Sequence, residues 1–161
     1  MVENGMYIIK QEYFTKFEKL GCKFKDNKSG NRPTFCCVKD KYIEGLFWAI
    51  PTSKITKDKN MERIKSYVNS RNNINRSFYH IGNTNIPCVF CVSSTFPIID
   101  KYIEREYTVG GRHLIINNFY QSKQLKYKLG RILEAEADVA NRFEQKITYI
   151  QGVLKMELKN L

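Results

Sequence analysis

Hydrophobic residues recur with two different periods along this chain, and the change of period limits the folds open to it. The last third carries two stripes with the spacing of amphipathic helices, namely Leu125, Leu129, Ile132 and Leu133, then Ile147, Ile150, Leu154 and Leu158. The first two thirds hold short runs rich in β-branched, aromatic and cysteine residues, separated by turn residues. We therefore predict an α+β fold, in which helices surround a compact, strongly twisted antiparallel sheet and the C-terminal third is helical.

The same patterns predict individual elements. Strands are expected at residues 7–9, 34–38, 46–50, 77–81, 87–92 and 102–109, and turns at 82–85 and 110–111. A first helix is expected over residues 12–20, with Tyr13, Phe17 and Leu20 on one face and Gly21 ending it. Pro51 is expected to end the second hairpin strand. A second helix is expected over residues 57–69, with Thr56 as its N-cap.

The length and composition favour one globular domain over residues 1–161. The chain has 161 residues, of which 42% are hydrophobic and 27% charged, so it is long enough to bury a core. We find no internal repeat. The polar loop at residues 22–31 lies too early in the chain to divide two domains.

The charge balance indicates a polyanionic partner. Twenty-seven lysines and arginines face 16 acidic residues, a formal net charge of +11, and such an excess favours nucleic acid, although it also serves solubility alone. No run approaches the roughly 20 apolar residues of a membrane helix, and the start of the chain does not resemble a signal peptide. The five cysteines follow no disulfide framework. We therefore expect a cytoplasmic protein without a membrane partner.

The segment 47–59 contains the most informative chemistry. An apolar strand is followed by Thr52, Ser53 and Lys54, and a predicted helix begins just afterwards. Two hydroxyls, an amine and the backbone N–H groups of a helix start could converge on one phosphate. The alternative is that the hydroxyls only cap the helix.

Basic and aromatic residues then alternate in a way that suits single-stranded RNA. Residues 54–76 contain seven cations against Asp58 and Glu62, and these cations are Lys54, Lys57, Lys59, Arg63, Lys65, Arg71 and Arg76. Tyr67, Phe78 and Tyr79 lie among or just beyond them. Amines on phosphates and rings under bases are the usual means of binding single strands. The alternative is an ordinary solvated helix face.

Metal chemistry has little support in the sequence, and one histidine could transfer protons. Cys88 and Cys91 have the spacing of half a zinc site, but no second pair follows at a fitting distance. We expect neither a metal nor another cofactor. His80 lies in a predicted strand near the basic segment and suits acid–base chemistry near neutral pH, although a lone strand histidine is more often structural.

Three stretches of the chain resemble the toxins of type III toxin–antitoxin systems, the ToxN/AbiQ group and especially its CptN and TenpN branches. The first runs from NRPTF at residues 31–35 to FWAIPTSK at 47–54. The second runs from IPCVF at residues 86–90 to FPIIDKYI at 96–103. The third is YTVGG at residues 107–111 with the helical tail that follows. Together they span most of the chain.

This resemblance implies a metal-independent endoribonuclease toxin on a compact, twisted antiparallel sheet. Such toxins cut cellular transcripts, and they cut their own repetitive antitoxin RNA into folded units that inhibit them in closed protein–RNA hetero-oligomers. The systems can act in phage abortive infection. Cleavage would proceed by attack of a ribose 2′-OH on the adjacent phosphate, which leaves 2′,3′-cyclic phosphate and 5′-OH ends.

The resemblance also implies site residues. The hydroxyls of the family motif fall on Thr52 and Ser53, and its amine falls on Lys54 or, one helical turn later, on Lys57. Arg32 matches the basic residue expected near the phosphate. Two rival hypotheses remain open: a non-catalytic RNA-binding regulator that uses the same basic face, and a structural DNA-binding accessory protein.

Overall fold

The computed structural model describes residues 1–24, 35–55 and 60–161. Its strands are β1 (Met6–Ile9), β2 (Phe35–Lys39), β3 (Leu46–Lys54), β4 (His80–Asn83), β5 (Pro87–Phe90), β6 (Phe96–Ile99), β7 (Ile103–Glu106), β8 (Thr108–Val109) and β9 (Arg112–His113). Its helices are α1 (Gln11–Lys19), α2 (Asn60–Val68), α3 (Asn73–Arg76), α4 (Phe119–Asp138) and α5 (Ile147–Lys159). This content confirms the predicted α+β class and the helical C-terminal third.

β3 is the central strand of a strongly curled antiparallel sheet. The strand order is β4-β5-β3-β2-β1-β7, and β6 also pairs with β3. On one edge β3 pairs with β2. On its other edge, residues 46–49 pair with β6 and residues 52–54 pair with β5. One long strand thus passes from one partner to another, and β5 brings β4 to the outer edge.

The prediction that Pro51 ends its strand is wrong, because β3 continues to Lys54. Pro51 pairs with Phe35 of β2, and its carbonyl accepts a hydrogen bond from the Cys91 N–H at 2.7 Å. The N–H and C=O of a strand residue face the same edge, so the N–H that proline lacks would face the gap between β6 and β5. Proline therefore costs no ladder hydrogen bond at this position.

Apolar side chains form two separate cores. The main core lies between the sheet and the helices α1, α4 and α5, and it contains the predicted helix residues Leu125, Leu129, Ile132, Ile147, Ile150 and Leu154. A smaller cluster of Tyr79, Val89 and Cys91 packs against α2. Full burial of one such Leu or Ile contributes about 1.5–3 kcal/mol, so the two stripes on α4 and α5 hold these helices to the sheet.

Several predicted boundaries shift in the structure. Tyr13 and Phe17 are buried as expected and Gly21 has a positive φ of 84°, but Leu20 follows the last helical residue and is exposed. Phe14 takes its place in the core.

The expected strand at 77–81 instead begins at His80. The short helix α3 precedes it, and the Asn72 side chain accepts hydrogen bonds from the N–H groups of Ile74 and Asn75. Gly82 and Asn83, expected in a turn, belong to β4. The expected strand at 102–109 divides into β7 and β8, and the predicted turn at 110–111 joins β8 to β9 through two glycines of positive φ.

Candidate nucleic-acid interface

The ladder β3–β5–β4 places the candidate catalytic residues on two faces of the sheet. Thr52 pairs with Phe90, which pairs with His80, so these three side chains point to one face. Ser53 pairs with Val89 and points to the opposite face. Phe90 accordingly lies in the main core and Val89 in the smaller cluster. The two hydroxyls therefore do not converge on one phosphate in the way that the sequence suggested.

Lys54 lies on the same face as Thr52 and His80. It pairs with Cys88, which pairs with Gly82, two rows along from the row of Thr52. Two strand spacings, roughly 10 Å, separate Thr52 from His80, so they cannot contact the same phosphate oxygen. Phe90 lies between them on this face and is fully buried in the main core, so Thr52 and His80 do not share an open surface there.

His80 is half-buried beside a lysine of α4. Burial and then the positive charge of Lys128 lower the pKa of His80 to about 4, so its imidazole is neutral at pH 7. Its ring centroid lies 6.0 Å from that of Phe90. Lys128 donates a hydrogen bond to the Tyr79 carbonyl at 2.8 Å, and burial lowers the pKa of its amine as well. The positive charge of Lys128 opposes protonation of His80, so this imidazole can act as a base only where a bound anion offsets that charge.

Tyr79 belongs to the smaller core, whereas the sequence suggested that it binds RNA. It is only 5% exposed and its ring meets that of Tyr67 edge-on, with 5.6 Å between centroids. Tyr79 directly precedes His80, so the alternation of side chains turns it towards α2. This burial removes Tyr79 from the RNA-binding surface.

The predicted RNA-binding cations of α2, α3 and the turn between them are all exposed, and these are Arg63, Lys65, Arg71 and Arg76. Glu62 is the single acid among residues 60–76. The Arg63 guanidinium carbon lies 5.9 Å from the centre of the Tyr67 ring, which stacks on Phe78 with 5.1 Å between centroids. Arg63 and Lys65 are two residues apart on α2, so they lie on opposite flanks of this helix, and the packed rings support the flank of Arg63.

The outward face of α4 adds basic and aromatic residues that the sequence analysis overlooked. Phe119, Tyr120 and Tyr127 are exposed, and Lys123, Lys126 and Arg131 lie among them, whereas the half-buried Lys128 lies on the flank of α4 next to Tyr79. The signal was present in the sequence, because these residues recur with helical spacing opposite the buried leucine stripe.

Other expected site residues lie outside the described part of the chain. These are Arg32, Lys57, Lys59 and the expected N-cap Thr56. Cys88 and Cys91 are both buried but belong to different cores, Cys88 to the main one and Cys91 to the smaller one. Within the described residues, no three His, Cys, Asp or Glu side chains are grouped so that they could hold a metal ion.

No protein-family model and no curated protein matches the sequence. In the described ranges, no helix has both the length and the apolar composition that crossing a membrane requires. A functional hypothesis for this chain therefore depends on the geometry above and on the resemblance noted in its sequence.

Proposed function

We propose that the chain is a metal-independent endoribonuclease toxin of the type III toxin–antitoxin kind. The observation that carries the proposal is the neutral His80 beside the amine of Lys128, at the edge of an exposed basic surface. An acid–base group and a cation next to a polyanion-binding surface are what cleavage of RNA by its own 2′-OH requires. The resemblance of three sequence stretches to this toxin family supports the same conclusion.

In the proposed reaction the ribose 2′-oxygen attacks the adjacent phosphorus. The 2′-OH proton passes to a base, the bond from phosphorus to the 5′-oxygen breaks, and that oxygen takes up a proton. The products are a 2′,3′-cyclic phosphate and a 5′-OH. His80 is the base, and the negative charge of the bound phosphate raises its pKa from about 4 towards the range in which an imidazole accepts a proton. The Lys128 amine beside His80 supplies positive charge to the phosphorane, whereas Thr52 and Lys54 lie two strands away and would contact other parts of the RNA.

A second arrangement places the reaction on the opposite face of the sheet. Ser53 is exposed there, next to Val89 of the smaller cluster. The resemblance adds Lys57 and Arg32 to the candidate residues of this arrangement, and both lie outside the described part of the chain. The two arrangements predict different sensitive residues, so substitution separates them.

We further propose that folded repeats of an antitoxin RNA inhibit the protein in a closed protein–RNA assembly in the cytoplasm, and that the free protein cuts cellular transcripts during phage infection. These statements rest on the resemblance. A basic surface that binds substrate RNA can bind an inhibitory RNA by the same contacts.

The decisive experiment is cleavage of an RNA oligonucleotide library in EDTA, with the product ends identified. We expect wild type to leave 2′,3′-cyclic phosphate ends and His80→Gln to lose most of the activity. His113→Gln is the matched control, because it removes the other of the two histidines at the distant strand β9. Loss of activity in Ser53→Ala but not in His80→Gln would move the site to the opposite face.

A non-catalytic RNA-binding regulator is the second candidate function. The exposed cations of α2 and α3 favour it, since they provide RNA affinity that does not depend on the placement of Thr52 and His80. A well-folded wild type that binds RNA and cleaves none of the library would establish the regulator and overturn the enzyme.

A further inference from the structure

A cleft of about 220 Å³ opens between α3 and α4. Arg76 and Ser77 line one side, and Gln124, Tyr127 and Lys128 line the other. The volume is smaller than the 300–1,000 Å³ typical of sites for whole small molecules, so it suits a fragment of a larger ligand. Two cations, a hydroxyl, an amide and an aromatic ring are the groups that recognise the parts of a nucleotide.

The two cations of the cleft are held in place by neutral partners. Arg76 donates a hydrogen bond to the Asn73 side-chain oxygen, and the Lys128 amine donates to the Tyr79 carbonyl at 2.8 Å. Among the described residues neither cation forms an ion pair with a carboxylate. A lysine amine has three hydrogens and a guanidinium has five, so both retain donors for an anionic ligand.

The face of α4 beside the cleft has the composition of a stacking surface. Phe119 is 81% exposed, Tyr120 72% and Tyr127 57%. The Arg131 guanidinium carbon lies 5.3 Å from the centre of the Tyr127 ring, which extends the flat surface. Tyr120 and Tyr127 are seven residues apart and therefore share one side of the helix, where both rings are available for stacking.

The charges of α4 are segregated along the helix. Residues 119–131 contain four cations and no acid, whereas residues 132–138 contain three acids and no cation. An anionic ligand along the first two thirds of α4 would reduce the repulsion among these cations.

We propose that the cleft and the adjoining face of α4 bind single-stranded RNA, with one nucleotide seated in the cleft. Its phosphate lies between Arg76 and Lys128, and its base stacks on Tyr127. This inference rests on the proposed RNA function and adds the path that the RNA strand takes along α4. Rings interleaved with cations along a helix favour RNA over an anionic membrane, which would require a continuous apolar face. The neighbouring Lys128 places the seated nucleotide next to His80.

The test measures binding of a short, mixed-sequence 2′-O-methyl RNA, which cannot be cleaved by 2′-OH attack. We expect Tyr127→Ala to weaken binding roughly 5- to 100-fold, which is the range for loss of one stacked base. We expect Arg76→Gln to weaken it by a smaller factor. Tyr42→Ala and Lys155→Gln are the matched controls, because they remove an exposed ring and an exposed cation at a separate groove, between residues 42–44 and α5, that shares no residue with the cleft.

Three further measurements decide the outcome. Dextran sulfate offers negative charge without bases, and its binding should not change in Tyr127→Ala. Equal RNA affinity in wild type and Tyr127→Ala overturns the inference, as does stronger Tyr127-dependent binding to phosphatidylserine vesicles than to RNA. Cleavage of unmodified RNA tests the proposed function separately: a wild type that binds through Tyr127 but does not cleave supports the binding site and overturns only the enzyme.

Discussion

At the scale of single residues, burial disfavours positive charge on both His80 and Lys128. The low pKa of His80, about 4, follows from burial first and from the neighbouring amine second. A bound phosphate would favour the charged forms of both residues and raise both pKa values. RNA binding and protonation of this pair are therefore coupled, and the pair is sensitive to any ligand in the adjacent cleft.

The first prediction concerns the stability of the protein in mild acid. In the unfolded chain His80 takes up a proton near pH 6.5, but in the native state only near pH 4. The unfolded state thus binds more protons between these values, so the free energy of unfolding falls as the pH falls through this window. Between pH 7 and pH 4, the free energy of unfolding should therefore fall in His80→Gln by on the order of 2 kcal/mol less than it falls in wild type.

Urea unfolding followed by the fluorescence of Trp48, the single tryptophan, measures this difference. Between pH 7 and pH 8 the difference in free energy of unfolding between the two proteins should stay nearly constant, because His80 is mostly neutral there in the folded and the unfolded state. An identical loss in wild type and His80→Gln between pH 7 and pH 4 would contradict the assigned environment of His80.

At the scale of elements, a side chain of α4 continues the sheet beyond its edge strand. The Gln121 amide accepts a hydrogen bond from the Asn83 N–H at 2.8 Å and donates one to the Asn83 carbonyl at 2.7 Å. These are the two bonds that a further strand would form with β4. They also protect an edge that could otherwise pair with another chain. α4 is thereby fixed to the strand that carries His80.

The second prediction follows from the closeness of Gln121 to Gly82. A Cβ on Gly82 would overlap the Gln121 side-chain oxygen. Gly82→Ala should therefore destabilise the protein by about 1–3 kcal/mol, and Gln121→Ala should do so by a similar amount through its lost hydrogen bonds. The double variant should be less destabilised than the sum of the two, because the overlap is absent without Gln121. Thermal unfolding of the four proteins measures the coupling, and strict additivity would exclude the contact.

Local patterns in the sequence predicted some elements well and missed contacts between distant segments. The buried stripes of α4 and α5 follow from periodicity alone, so they were predicted correctly. The continuation of β3 past Pro51 depends on the gap between β5 and β6, which only the tertiary structure creates. The cleft between Arg76 and Lys128 likewise joins residues about fifty positions apart, and no local pattern indicates such a pair.

At the scale of the whole molecule, the two cores differ in the stability that they can provide. The main core contains buried residues of α1, α4 and α5, whereas α2 has no buried residue and packs its half-buried side chains on Tyr79, Val89 and Cys91. Elements with few buried apolar contacts open at low free energy. The exposed basic surface of α2 therefore belongs to the less stable part of the protein.

The third prediction is that α2 opens before the rest of the structure. In native-state hydrogen exchange, the amides of α2 should exchange at least roughly tenfold faster than those of α4 and α5. Addition of the 2′-O-methyl RNA should slow exchange in α2, because a ligand that binds only the closed form stabilises it. Equal protection in α2 and α5 of the free protein would show that the two cores unfold as one unit.

The fourth prediction separates local contacts from the net charge of +11. For a single strand, the logarithm of the binding constant falls with the logarithm of salt concentration by about 0.7 per neutralised phosphate. Arg63→Gln with Lys65→Gln should therefore make the slope shallower by about 1.4, if both side chains contact phosphates. The control is Lys155→Gln with Lys159→Gln on α5, which removes the same two charges. Because Debye screening limits distant charges to a small effect at physiological salt, the control should keep the wild-type slope. Equal changes of the salt slope in both double variants would mean that RNA affinity depends on the overall charge of the protein. That result would rule out the exposed surface of α2 and α4 as the specific RNA interface.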